Sequence, residues 1–231
     1  VSDLGADPAR PVSLDDPRPS AVVFRRLLDV TGVELTLHLS ASLEASGRVA
    51  TSPIAIVLAE HAERDPATLP FQLARLVALS LPGSLLVGSR ASVEELETLL
   101  ESIAMAFGGR TSGPEARADV VALASRLRRE LPRDVQDEIA NWLVEAPLPP
   151  ASELAHMVHR RAAAIALLHT GTLYAAITTL FREDAALAVQ PPRGLESLYS
   201  ACKASPTLVE VLKLALDPAF TAMYREHGAS R

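Results

Sequence analysis

The spacing of apolar and polar positions predicts strands in the first third of the chain and helices almost everywhere else. A helix is expected from Ser20 to about Val30, with Ser20 as its N-cap and Gly32 just past its end. Residues 33–39 alternate apolar and polar, which is typical of a half-buried strand, and residues 53–58 form an apolar run typical of a more buried one. We therefore expect an α+β, mainly α-helical fold with a small N-terminal sheet packed on a helical core.

Residues 67–81 predict the central helix of the protein. Between its ends only Gln72 and Arg75 are strongly polar, so the helix is apolar nearly all round. Such a helix usually lies inside a domain. We expect near-complete burial of three of its side chains, which are Leu73, Leu76 and Val77.

Further helices are expected where periodic segments end at proline, glycine or capping residues. Their expected ranges are 92–107, 115–131, 133–145, 152–169, 172–183, 194–203, 206–215 and 218–227. Ser46-Gly47 indicates a turn. The proline-rich residues 1–19 are interpreted as a linker or arm, and residues 20–231 as a single domain, with a sub-boundary near 147–151 as an option.

Two predicted helical segments occupy the places of an enzyme family's motifs but lack its metal-binding and catalytic residues. Residues 75–79 read Arg-Leu-Val-Ala-Leu, residues 159–163 read His-Arg-Arg-Ala-Ala, and a run of small residues and leucines then ends at residues 171–173. With this element order, residues 20–185 resemble the minimal gluzincin metallopeptidase fold of the heat-shock membrane protease and CAAX prenyl protease families. Those enzymes carry His-Glu-x-x-His on the first helix and a third zinc ligand, a Glu, on the second. Inactive relatives are attached to tetratricopeptide-type repeats in large bacterial proteins.

The resemblance implies an inactive enzyme. Arg75 and Leu79 would stand where the two histidine ligands belong, and Leu76 where the general base belongs. His159 would replace the glutamate ligand and Ala163 the following aspartate. We therefore expect no catalytic residue, no metal and no cofactor. The expected role is that of a non-catalytic interaction or scaffold domain, whose partners are other proteins or neighbouring domains of the same chain.

The alternative is a rearranged metal site, as in a metal-dependent hydrolase or a metal-binding protein. Glu153, His156 and His159 follow each other at intervals of three residues and span about 120° of one helix surface. The simpler interpretation is an exposed polar face, because a single helix rarely supplies a complete metal site. His61, which lies between two glutamates, is either an acid–base residue or, as we favour, part of a solvated charged segment.

Composition narrows the classes of partner. The chain has 231 residues, of which 48% are hydrophobic. Its net charge is −6 and it has no dense basic stripe, and both features argue against nucleic-acid binding. No run of about 18 apolar residues predicts a membrane span. Cys202 is the only cysteine, so no internal disulfide can form, and we expect a cytoplasmic location.

Two regions are candidates for protein contact. Trp142, the only tryptophan, is interpreted as a core or edge-covering residue, with an interface anchor as the alternative. The C-terminal helices carry apolar residues at helical spacing, and these either close the core or offer an interface. The residues concerned are Leu208, Val211, Leu212 and Phe220.

Overall fold

The chain divides into two compact units. A computed structural model describes residues 10–43, 46–49, 53–84, 87, 92–108, 117–146, 148–183, 187 and 194–222. The discontinuous unit consists of residues 1–89 and 156–231, and the inserted unit of residues 90–155. The range 20–231, which was expected to form one domain, therefore contains both units, and the second boundary falls just after the proline-rich segment near 147–151.

The predicted small sheet belongs to the discontinuous unit. Its strands in spatial order are Arg10–Pro11 (β1), Leu35–Ser40 (β2), Ile54–Ala59 (β4) and Gly47–Val49 (β3). The central strands β2 and β4 are parallel, and each edge strand is antiparallel to its neighbour. The side chains of β2 alternate between buried and half-buried up to Leu39, whereas β4 is buried from Ala55 onward. The two predicted strands are thus confirmed in position and in burial.

The two edge strands were not expected. β1 lies within the proline-rich residues 1–19, where Arg10 pairs with Leu39, and the Val12 amide donates to the Leu37 carbonyl at 2.8 Å. The turn predicted at Ser46-Gly47 is wrong at its second residue, because Gly47 begins β3 and pairs with Val57. Strands of two or three residues carry almost no periodic signal, and their pairing depends on a neighbour that is distant in sequence.

The described helices lie close to their predicted ranges. In chain order they are Pro19–Thr31 (α1), Leu69–Leu79 (α2), Val93–Phe107 (α3), Ala118–Glu130 (α4), Arg133–Glu145 (α5), Ala151–Thr170 (α6), Leu173–Glu183 (α7), Leu195–Ala204 (α8) and Pro206–Leu216 (α9). The mainly helical α+β class is therefore confirmed. In the part of the chain that the structure describes, none of these helices is both long and apolar enough to cross a membrane.

The core of the discontinuous unit is built around α2. Every residue of α2 is buried except Pro70 and Arg75, as its apolar sequence predicts. Leu73, Leu76 and Val77 are 0%, 7% and 1% exposed. They share one cluster with apolar residues of α1, β2, β4, α6, α7 and α9, represented by Phe24, Leu37, Ile56, Leu167, Leu180 and Leu208.

The inserted unit contains α3, α4 and α5. A capping box begins α3, where the Glu95 amide donates to Ser92 Oγ and the Ser92 amide donates to the Glu95 carboxylate. The Arg128 guanidinium of α4 donates to the carbonyls of Ala106 and Met105 at 2.8 and 2.9 Å, at the end of α3. The Arg128 hydrogen bonds join α4 to the end of α3, whereas the capping box is internal to α3. Both satisfy backbone groups that a helix terminus leaves unpaired.

Candidate functional site

The first segment of the metallopeptidase pattern lies in the hydrophobic core. Leu76 and Leu79, at the general-base and second-ligand positions of the resemblance, are 7% and 5% exposed. Arg75, at the first-ligand position, is half-buried. Neither leucine can bind a metal or transfer a proton, because its side chain carries no polar atom.

The second segment faces the same core. Ala163 of α6 is fully buried and belongs to the cluster that contains Leu73, Ala74 and Leu76 of α2. His159, one turn earlier on α6, is half-buried and interacts with other groups of the protein. α6 and α2 therefore both contribute to one core, α6 through alanine and leucine side chains such as Ala163 and Leu167.

Within the part of the chain that the structure describes, the fold places no further ligand beside the alternative metal site. Glu153 and His156 are exposed and His159 is half-buried. Glu153 belongs to the inserted unit, and the two histidines belong to the discontinuous unit. Among the described residues, no group of three or more His, Cys, Asp or Glu side chains is placed to hold a metal ion.

Three further polar residues are either exposed, packed against the core or held in an ion pair. His61 is exposed in the short 3-10 helix Glu60–Arg64, next to half-buried Glu60 and buried Ala62. Its exposure is consistent with a solvated charged segment. Cys202 is half-buried and packs against the core cluster. Asp65, just before α2, pairs with Arg182 of α7 at 2.7 Å. The hydrogen bond from Arg182 lowers the pKa of Asp65, and a hydrogen bond with Thr68 lowers it further.

One cleft lies in the discontinuous unit, where α1 and α6 end and α2 and α7 begin. Its volume is about 860 Å³. Arg26, Asp29 and His169 contribute polar groups, and Phe71 contributes an apolar surface. The Thr170 hydroxyl at its edge donates to the Ala166 carbonyl at 2.8 Å, so that hydroxyl is already used to cap α6. The charged groups of this cleft have both signs, and they do not specify one class of ligand.

A second cavity, which we call the α3 groove, lies in the inserted unit and has a volume of about 390 Å³. One wall is a stripe of α3, and the other is the segment 148–152 that leads into α6. Sequence analysis did not identify this groove. The only signal in the sequence is the mixed stripe on α3 at helical spacing, and nothing local indicates that residues 148–152 lie opposite it. The α3 residues of the groove are Val93, Glu97, Leu100, Glu101 and Ala104.

The two regions considered for protein contact differ in exposure. Trp142 is 68% exposed, so its interpretation as a core residue is wrong. None of the residues of α5 is buried, so the whole helix lies at the surface. Leu208 and Val211 are 0% exposed and Phe220 is 9% exposed, so these three side chains close the core, whereas Leu212 is half-buried and packs against the same cluster.

The comparisons with known proteins add no identification. The chain matched none of the protein-family models, curated proteins or solved structures with which it was compared.

Proposed function

We propose that this chain is a non-catalytic protein-interaction domain on a degenerate metallopeptidase-like fold, and one module of a larger bacterial protein. One observation carries the proposal. The general-base and second-ligand positions contain Leu76 and Leu79, which are 7% and 5% exposed, and the position of the following aspartate contains Ala163, which is buried in the same cluster as Leu76. Zinc hydrolysis needs three protein ligands, an open coordination position and a base, and apolar side chains supply none of these.

The surface supports protein contact as the remaining role. Trp142 is 68% exposed, and tryptophan is enriched among the residues that dominate binding energy at interfaces. The chain is acidic, with a net charge of −6, so protein partners suit its surface better than nucleic acids do. A reducing cytoplasm is part of the proposal, because the single cysteine, Cys202, provides no internal disulfide.

Metal analysis and a peptidase assay on the intact purified chain test the proposal. We expect zinc far below one ion per chain by plasma mass spectrometry, and no zinc-dependent hydrolysis of casein above a buffer control. The contrary result is stoichiometric zinc that disappears in a His156→Ala/His159→Ala variant and persists in His61→Ala. That result would replace the interaction domain with a metal protein that uses Glu153, His156 and His159. His61 is a suitable control because it is an exposed histidine.

A further inference from the structure

The α3 groove combines an apolar floor with an acidic edge. Leu100 is 9% exposed and forms the floor with half-buried Ala104, whereas Glu97 and Glu101 are exposed beside them. These residues recur at helical spacing along α3, so they form one continuous stripe. Val93 extends the apolar stripe to the first turn of α3 and is 47% exposed.

The charge of the groove has one sign. α3 carries four glutamates and no basic residue. Glu95 is held in the capping box, whereas neither Glu97 nor Glu101 forms an ion pair with a described residue. The charges of both carboxylates raise the pKa of Arg117, but its guanidinium is hydrogen-bonded to Asp119 at 2.6 Å and to Thr98 at 2.8 Å. A bound cationic side chain would therefore meet two exposed carboxylates that form no ion pair with a described residue, while Arg117 is held by Asp119 and Thr98.

The opposite wall limits the shape of a bound segment. It contains Pro149 and Pro150, which have no backbone N–H and so cannot donate the hydrogen bonds that an added β-strand needs. Strand addition is thereby disfavoured, and recognition through side chains, as in helix-in-groove binding, is favoured. The stripe from Val93 to Ala104 is about 17 Å long, or three turns of a helix. Glu97 and Glu101 lie one turn apart, so they match two basic residues one turn apart on a bound helix.

We propose that the α3 groove binds a cationic amphipathic helix of a partner protein. The apolar side of that helix packs on Leu100, Ala104 and Leu148, and two basic residues one turn apart pair with Glu97 and Glu101. The proposal rests on the proposed function as a protein-interaction domain and specifies its partner. Charge complementarity selects this occupant, because the groove offers carboxylates and apolar surface together.

Fluorescence anisotropy on the intact chain tests the groove. The probe is a fluorescein-labelled 14-residue peptide of leucine and lysine arranged as an amphipathic helix, and the reference peptide has glutamate in place of lysine. We expect the lysine peptide to bind and the glutamate peptide not to bind. A Glu97→Gln/Glu101→Gln variant should weaken the binding of the lysine peptide at least about tenfold, which corresponds to 1.4 kcal/mol.

A matched variant distinguishes binding in the groove from nonspecific attraction between the acidic chain and the basic peptide. Asp137→Asn/Glu138→Gln changes the net charge equally on exposed residues of α5 outside the groove, and it should change the affinity by less than about twofold at the same salt concentration. Equal weakening by both double variants, or no binding by the wild type, would overturn the proposal. Ala104→Trp, which fills the groove without changing charge, should also prevent binding, and retained binding would equally overturn it.

Sedimentation velocity distinguishes a second copy of this chain from a partner helix. Self-association that Glu97→Gln/Glu101→Gln abolishes would assign the groove to a second copy and overturn the peptide proposal. Thermal melting of each variant confirms that it is folded. The zinc and casein measurements do not depend on the peptide, so failure of the groove proposal and failure of the proposed function give different results.

Discussion

Gly32 shows how a single residue ends a helix. It has a φ of 65°, and its amide donates to the Leu28 carbonyl at 2.8 Å, which completes the last turn of α1. Gly171 ends α6 in the same way, with a φ of 64°. Residues with a Cβ are strained in this left-handed conformation, so glycine is preferred at the position. The sequence predicted both helix ends for this reason.

The cost of that conformation can be measured at Gly32. Nothing lies within 4 Å of a Cβ built there, so Gly32→Ala introduces backbone strain without a steric clash. We expect a loss of about 1–2 kcal/mol in the free energy of unfolding, measured by urea denaturation. Gly83→Ala is the matched control, because Gly83 also has open space but no positive φ, and it should change stability by less than about 0.5 kcal/mol. Equal effects of the two substitutions would contradict this account.

Leu76 tests whether α2 is as central as its pattern predicts. A carboxylate at this position, which is 7% exposed, would be buried without a partner. We expect Leu76→Asp to cost about 3–5 kcal/mol or to unfold the protein, as seen by thermal melting. Leu216→Asp makes the same chemical change at a leucine that is 78% exposed, and it should leave the melting temperature nearly unchanged. An unchanged melting temperature for Leu76→Asp would place α2 at the periphery.

At the scale of elements, the helices could be predicted because their ends are marked by residues within the helix or next to it. Helix ranges follow from caps, prolines and periodicity, and for this reason α3 and α5 lie within about one residue of their expected bounds. The strands β1 and β3 could not be predicted, because their pairing with β2 and β4 is set by the assembled sheet.

One ion pair joins the segment before α2 to α7. The Arg182 guanidinium lies 2.7 Å from the Asp65 carboxylate, and their side chains are 55% and 29% exposed. The hydrogen bond from Arg182 is the main reason that the pKa of Asp65 is lowered, and burial opposes this shift. A carboxylate whose pKa is lower in the folded state stabilises the fold above its unfolded pKa, which is about 4. This contribution is lost as the pH falls through the folded pKa.

Asp65→Asn should therefore lower the melting temperature at pH 7, and its difference from the wild type should shrink below about pH 4. The difference should also decrease in 1 M NaCl, because both side chains are partly exposed to solvent. Asp15→Asn removes an exposed carboxylate that forms no ion pair with a described residue, and it serves as the control. A difference for Asp65→Asn that is the same at pH 3 and pH 7 would show that the ion pair does not stabilise the fold.

At the scale of the whole molecule, the sequence predicted the class of fold but not its division into units. Leu76 and Ala163, from the two segments of the resemblance, belong to one core cluster, and the resemblance itself stays a prediction. The boundary at 155 falls inside α6, so the proline-rich segment near 147–151 marked it only approximately, and no expectation corresponded to the boundary at 89. The α3 groove could not be predicted either, since its two walls are separated by more than 40 residues.

The inserted unit has buried apolar residues of its own, including Leu96, Val120 and Ala124, and we therefore expect it to open by itself. Arg128→Met keeps an unbranched, flexible side chain but removes the donors to the Ala106 and Met105 carbonyls. The expected cost is about 1–2 kcal/mol, or roughly 5–30-fold faster hydrogen exchange at the amides of α3 and α4.

Hydrogen exchange followed by mass spectrometry resolves where this effect occurs. We expect faster exchange in peptides from residues 92–146 and no change in peptides from α2 and α9, because those helices belong to the other unit. Arg129→Met is the control, since Arg129 is 75% exposed and has only a 3.5 Å contact with the neighbouring Glu130, which contributes little at the surface. Faster exchange throughout α2 and α9 in Arg128→Met would instead mean that both units unfold together as one cooperative body.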